Sequence, residues 1–209
     1  MVILKLYIVT MLKCPVNKLL VTIEKKYQDK LGNLFIDTSF FPEEYATLKG
    51  IVTSVPNKLE NEYWRGKTDM IIETGDEVWF SYGIIFDYKR YENGETPSYK
   101  NLITYKGQEY WKVDYNEVFC VVRDGKILIP TEYILLEPIA DNSESKTASG
   151  LVLGKKAIYS DRARVVAAQE GVDCKPGDII PLESQYIQQY NMLGKVHYIV
   201  PSRRLIAKY

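Results

Sequence analysis

Glu73-Thr74-Gly75-Asp76-Glu77-Val78 and, further along the chain, Lys175-Pro176-Gly177-Asp178-Ile179-Ile180 are two versions of one motif. In each, a Gly-Asp pair leads into β-favouring residues. Glycine supplies the backbone freedom a tight turn needs, and a short carboxylate can accept hydrogen bonds from nearby backbone amides. Each copy therefore reads as a turn feeding a strand, with no catalytic role for Asp76 or Asp178.

Working outward, the flanking blocks recur in the same order. Upstream, Lys18-Leu-Leu-Val-Thr-Ile23 enters a polar segment, Glu24 to Lys30, and then Gly32-Asn33-Leu34-Phe35-Ile36. Its counterpart is Tyr133-Ile-Leu-Leu136, followed by the polar stretch Ala140 to Ser149 and then Gly150-Leu151-Val152-Leu153. Leu48 to Val55 matches Arg162 to Gln169, and Val118 to Ile129 lies without a gap on Val196 to Ala207. The boundary falls near Pro130, giving units 1–130 and 131–209. The first unit carries extra material at Asn57 to Met70 and Tyr82 to Glu117, expected to form extended hairpins, one around the Asn93-Gly94 turn. Apolar alternation at period two and frequent turn residues make both units all-β. Glu183 to Tyr190 alone offers a modest helical pattern. Pro181 and Pro201 are expected at strand edges or bulges, where no ladder donor is needed.

Composition narrows the function. Lys plus Arg and Asp plus Glu are 27 each, so the net charge is zero and nothing draws the whole chain to nucleic acid or to an anionic membrane. The three cysteines, Cys14, Cys120 and Cys174, are widely spaced with no Cys-x-x-Cys, so neither zinc nor a disulfide framework is expected. His197 is the only histidine, which removes a His-rich metal site and leaves a hydrolytic triad one possible base. In the strand-like run Val196 to Val200 it reads as structural. No apolar run approaches the ~20 residues that span a bilayer. Met1 to Met11 is apolar but interrupted by Lys5 and lacks a small-residue cleavage site, so cytoplasmic residence is the expectation.

The second unit resembles the GroES-type co-chaperonins from about Pro130 to Tyr209. Three features carry the likeness. Asp141 to Ser149 followed by Gly150-Leu151-Val152-Leu153 is similar to the family's mobile loop and its apolar anchor. Arg164-Val165-Val166-Ala167-Ala168 is similar to its Gly-x-Val-x-Ala-Val strand, and Lys175 to Ile180 to its Gly-Asp signature. Arg204-Leu205-Ile206-Ala207 is similar to its closing strand. Ala163 stands where the family usually has glycine, Arg204 replaces an acidic residue, and the roof hairpin is cut to Glu170-Gly171-Val172-Asp173.

The resemblance implies two tandem GroES-like, partly open β-barrels, the first with extra hairpin insertions. It implies a co-chaperonin that caps a chaperonin ring in a nucleotide-dependent manner, as a homo-oligomeric ring, with no catalysis or cofactor of its own. The chaperonin-binding residues it implies are Gly150, Leu151, Val152 and Leu153, with Leu34, Phe35 and Ile36 as a weaker set in the first unit. Residues 141–149 hold no large apolar side chain and cannot order themselves by burial. Docking each apolar anchor is worth roughly 1.5–3 kcal/mol, against roughly 1–2 kcal/mol per backbone residue fixed. One loop therefore binds weakly and several must act together. The rival reading is a non-catalytic assembly protein on the same fold. An alcohol-dehydrogenase-like enzyme would need a Gly-x-Gly-x-x-Gly turn and zinc ligands, which the sequence lacks.

Overall fold

Short runs of β-favouring residues give fourteen strands among the described residues of the computed structural model. Residues 13–25, 30–31, 34–35, 48–60, 70–85, 99–141, 158–182, 188–192 and 194–204 are described. The chain divides into two units, Met1–Thr131 and Glu132–Tyr209. The first contains β1 (Lys18–Thr22), β2 (Lys30–Leu31), β3 (Leu34–Phe35), β4 (Lys49–Ser54), β5 (Glu77–Phe80), β6 (Leu102–Tyr105), β7 (Gln108–Asp114), β8 (Val118–Arg123) and β9 (Lys126–Leu128). The second contains β10 (Tyr133–Asp141), β11 (Ile158–Ala168), β12 (Ile179–Pro181), β13 (Gln188–Met192) and β14 (Lys195–Pro201).

The first unit's main sheet runs β6-β7-β1-β4-β5-β8-β9, with β2-β3 a separate ribbon, and the second unit's sheet runs β12-β11-β10-β14-β13. Neighbouring strands are antiparallel throughout. Neither sheet closes on itself among the described strands. No described helix is long and apolar enough to cross a membrane.

Cross-strand register exposes the repeat more finely than sequence does. Lys18, Leu19, Leu20 and Val21 face Asp114, Val113, Lys112 and Trp111. Tyr133, Ile134, Leu135 and Leu136 face Pro201, Val200, Ile199 and Tyr198. So β14 corresponds to β7, and the hairpin β6-β7 to β13-β14. At the mouths of these pairs the Tyr115 N–H donates to Asn17 O and the Ser202 N–H to Glu132 O, both at 2.8 Å. This corrects the gapless match of Val118–Ile129 to Val196–Ala207. It also corrects part of the expected insertion, because Leu102–Asp114 has a counterpart in the second unit.

A smaller correction concerns β4 and β11. Leu20↔Ser54 and Val21↔Val52 flank a bulge that leaves Thr53 over. Leu135↔Ala167 and Leu136↔Val165 flank the matching bulge, which leaves Val166 over. Lys49 thus corresponds to Arg162 and Gly50 to Ala163, one residue from the expected match. That slip exchanges the two faces of a strand. The Thr53 hydroxyl donates to Leu20 O at 2.9 Å, satisfying a carbonyl at the irregular rung. Gln188–Tyr190, within the segment that read as helical, belongs to strand β13. Pro181 and Pro201 are the last residues of β12 and β14; β12 is the edge strand expected for a proline, whereas β14 lies inside its sheet between β10 and β13.

With this register the cores coincide. The first unit buries Leu19, Val21, Val52, Val78, Trp111 and Val113, and the second buries Ile134, Leu136, Val165, Ile180, Tyr198 and Val200 at the same places. Phe80, Tyr115, Val118 and Val121 extend the first core over β5 and β8. Burial at this scale is the main force holding each sheet to its packing partners.

Candidate functional site

The site implied by the sequence lies in the interval between the first two long strands of each unit. In the first unit that interval, between β1 and β4, holds the ribbon β2-β3, in which Lys30 faces Phe35 and Leu31 faces Leu34. Two residues a side cannot bury an apolar face of their own. Phe35 is accordingly 80% exposed, the most exposed large hydrophobic of the described residues. Leu34 sits beside it in β3, and Ile36 lies outside the described residues. In the second unit the equivalent interval runs between β10 and β11. It contains Gly150, Leu151, Val152 and Leu153, all outside the described residues. The structure therefore characterises the weaker set in part and leaves the stronger one open. Asn93-Gly94 and Met1 to Met11 also lie outside the described residues.

Both Gly-Asp turns have the geometry their residues predict. Gly75 and Gly177 adopt φ of +99° and +98°, a region that excludes most side chains. The Val52 and Val165 N–H groups donate to Asp76 O at 2.9 Å and Asp178 O at 2.8 Å. The Gly75 and Gly177 N–H groups return 2.8 Å bonds to Val52 O and Val165 O. Each carboxylate caps the turn: Glu73 N–H donates to Asp76 Oδ2 at 2.7 Å and Lys175 N–H to Asp178 Oδ2 at 2.8 Å.

Sequence reasoning missed what distinguishes the two turns. Asp76 is 4% exposed and meets Arg123 from β8, Nε to Oδ1 and Nη2 to Oδ2, both at 2.8 Å. Arg123 also donates to Glu73 Oε1 at 2.8 Å and Ile71 O at 2.7 Å, while the Ile71 N–H donates to the Tyr115 hydroxyl at 2.9 Å. Burial raises the Asp76 pKa, but the Arg123 bonds, the Glu73 amide and the guanidinium charge outweigh it and hold the carboxyl below its usual range. The same carboxylate pushes the Arg123 pKa up, so the clamp stays charged at any ordinary pH. Asp178, half-buried, has no such arginine among the described residues. An arginine just before the Asp124-Gly125 turn was the available signal, although nothing in sequence links it to a residue so far upstream.

Other reactive groups are muted. Burial, reinforced by the Glu77 charge, pushes the Cys120 thiol up to about 12. Burial raises Cys14 to about 11 against hydrogen bonds that lower it. Neither thiol is a nucleophile at neutral pH. His197 is 3% exposed with Nδ1 3.3 Å from Lys195 O. The described residues hold no cluster of three or more His, Cys, Asp or Glu able to bind a metal. What the arrangement offers is presentation: a largely exposed apolar side chain, Phe35, on a short two-stranded ribbon.

No protein-family model matches the chain. No curated protein matches it either.

Proposed function

We propose that the protein is a co-chaperonin: a tandem pair of GroES-like barrels that caps a chaperonin ring in a nucleotide-dependent manner, acts in the cytoplasm as a homo-oligomeric ring, and does no chemistry itself. The observation that carries this reading is the placement of the apolar triplets. Leu34-Phe35-Ile36 and Leu151-Val152-Leu153 occupy the same interval of two units whose strand registers match rung for rung. In the first unit Phe35, the one triplet residue whose exposure is described, is 80% exposed, and exposed apolar surface is what a partner's apolar groove can take. Burying such a side chain gives roughly 1.5–3 kcal/mol, so one contact is weak and a ring of contacts is strong.

The test is chaperonin binding with ATP or ADP, comparing wild type, Leu151→Ser/Val152→Ser/Leu153→Ser, and Phe35→Ser. The triple substitution is expected to abolish capture, and Phe35→Ser to weaken it by roughly tenfold, the loss of about 1.4 kcal/mol. Wild type that ignores several chaperonins would sink the reading and leave an assembly protein on the same fold. If Phe35→Ser alone has no effect, the second unit is the sole contact.

A further inference from the structure

The hairpins β6-β7 and β13-β14 occupy matching places in the two sheets but finish their outer edges differently. Met192 and Lys195 flank a two-residue connection and pair directly, so they exchange both backbone hydrogen bonds. Bonded and open rungs then alternate along the ladder. Tyr190↔His197 and Gln188↔Ile199 are bonded rungs, whereas Asn191↔Val196 and Gln189↔Tyr198 are open ones. The backbone N–H and C=O groups of Gln189 and Asn191 therefore point away from β14. β13 is the outermost described strand of its sheet, and no further described strand bonds to these groups.

In the first unit Tyr105↔Gln108 closes the equivalent hairpin, and Leu102 and Thr104 hold the outward positions. There the chain itself occupies part of the edge, because the Leu102 N–H donates to Tyr99 O at 3.0 Å. Strand edges are ordinarily guarded by charge, proline or a bulge. β13 has none of these: it reads Gln188-Gln189-Tyr190-Asn191-Met192 and pairs with β14 without a register shift.

We propose that β13 pairs edge to edge with β13 of a second copy of this chain, antiparallel about a two-fold axis through Tyr190. Alternating N–H and C=O groups along an edge are what another strand supplies. The register singles out a second copy. A two-fold centre at Tyr190 sets Gln189 opposite Asn191 of the partner subunit, and Asn191 opposite Gln189 of the partner subunit. All four residues present outward groups, so both rungs are bonded and each exchanges two hydrogen bonds. A centre at Gln189 or at Asn191 leaves only one bonded rung within the strand. A centre between two residues sets outward groups against inward ones. Because β13 carries no charge, two copies meet without repulsion. The contact joins chains by twos and is independent of chaperonin binding, which involves other residues.

The experiment uses full chains carrying Gln189→Cys or Asn191→Cys, oxidised separately and as a mixture and read on a non-reducing gel. At a bonded rung the Cα atoms lie about 5.5 Å apart, a separation a disulfide spans. The mixture is expected to give a linked pair of chains. Each variant alone should give no more linking than wild type, whose own Cys14, Cys120 and Cys174 set the background. Asn191→Pro deletes an outward N–H and leaves the bonds to β14 in place. By light scattering it should raise the concentration at which half the chains are paired at least about tenfold, equivalent to about 1.4 kcal/mol. No linking in the mixture, equal linking by either variant alone, or pairing unchanged by Asn191→Pro overturns the proposal. A ring that assembles without the cross-link also overturns it, and leaves the chaperonin reading standing. An unchanged far-UV spectrum of each variant ties any loss to the edge and excludes unfolding.

Discussion

The first and second units solve one folding problem with different emphasis. Five strands, β6-β7-β1-β4-β5 and β13-β14-β10-β11-β12, repeat in order and register, including a bulge at the same rung. Beyond them the first unit adds described strands β8 and β9, and with β8 the arginine that locks its Gly-Asp turn. Its turn is a buried ion pair, whereas the second unit's is a capped turn on a half-buried carboxylate. Backbone hydrogen bonding and core periodicity define the shared scaffold. Ionic locking is what each copy varies.

The sharpest way to break that contrast is to remove the lock. Arg123→Met strands Asp76 and frees Ile71 O; a buried pair loses about 3–5 kcal/mol when one partner goes, and the partial exposure of Arg123 brings the expectation to roughly 2–4 kcal/mol. The equivalent loss in the second unit, Asp178→Ala, should cost about 1 kcal/mol, as removing a capping side chain does. All three tryptophans, Trp64, Trp79 and Trp111, lie in the first unit. Tryptophan emission during urea unfolding therefore reports that unit and far-UV dichroism reports both. The acid limb checks the same lock. Because the folded Asp76 pKa is depressed, its stabilisation is complete above the unfolded carboxylate range near 4 and is lost as pH falls through the folded value. The emission-detected acid transition should move to higher pH in Arg123→Met. Equal costs for Arg123→Met and Asp178→Ala would erase the distinction.

A second comparison exchanges the small residues at one core position. A Cβ on Gly50 would lie 2.4 Å from Val21 Cγ1 and 2.6 Å from Thr22 O, so Gly50→Ala should destabilise the first unit by about 1–3 kcal/mol. Ala163→Gly should cost the second unit about 1 kcal/mol through backbone entropy and a lost methyl. If Gly50→Ala is neutral by urea unfolding, the register that equates these positions is not held tightly in solution.

The smallest effect is local to the hairpin turns. Lys106-Gly107 and Asp124-Gly125 both have positive φ at their two central residues, the turn whose twist matches paired strands. Lysine is poorly suited to φ of +51° where asparagine is well suited. Lys106→Asn should stabilise by about 0.5 kcal/mol, raising the emission-detected melting temperature by about 2 °C.

Much of the scaffold was legible in the sequence because glycine, proline and alternation act locally. Gly75-Asp76 and Gly177-Asp178 marked equivalent turns, and Pro181 marked an edge strand. The register of β4 was not legible, because Val165-Val166 offers two valines for Val52 and only hydrogen bonding tells which one the bulge leaves over. Nor was the equivalence of β7 and β14, since Gln108–Asp114 and Lys195–Pro201 share a pairing partner rather than a residue pattern. The Arg123 lock joins residues distant in sequence, which no local rule connects. Of the candidate site, Phe35 was named from its pattern, but its exposure follows from a ribbon too short to bury it.

The shared bulge is also what duplication of a single ancestral unit would leave in both copies. A one-residue excess displaces every later rung of a ladder, so a second unrelated insertion at the same rung, after Leu20 and again after Leu135, is a poor explanation for both. One ancestral strand that already carried the extra residue accounts for the pair. Thr53 and Val166 are then its two modern heirs: one still caps a carbonyl with its hydroxyl, and the other holds the irregular rung without one.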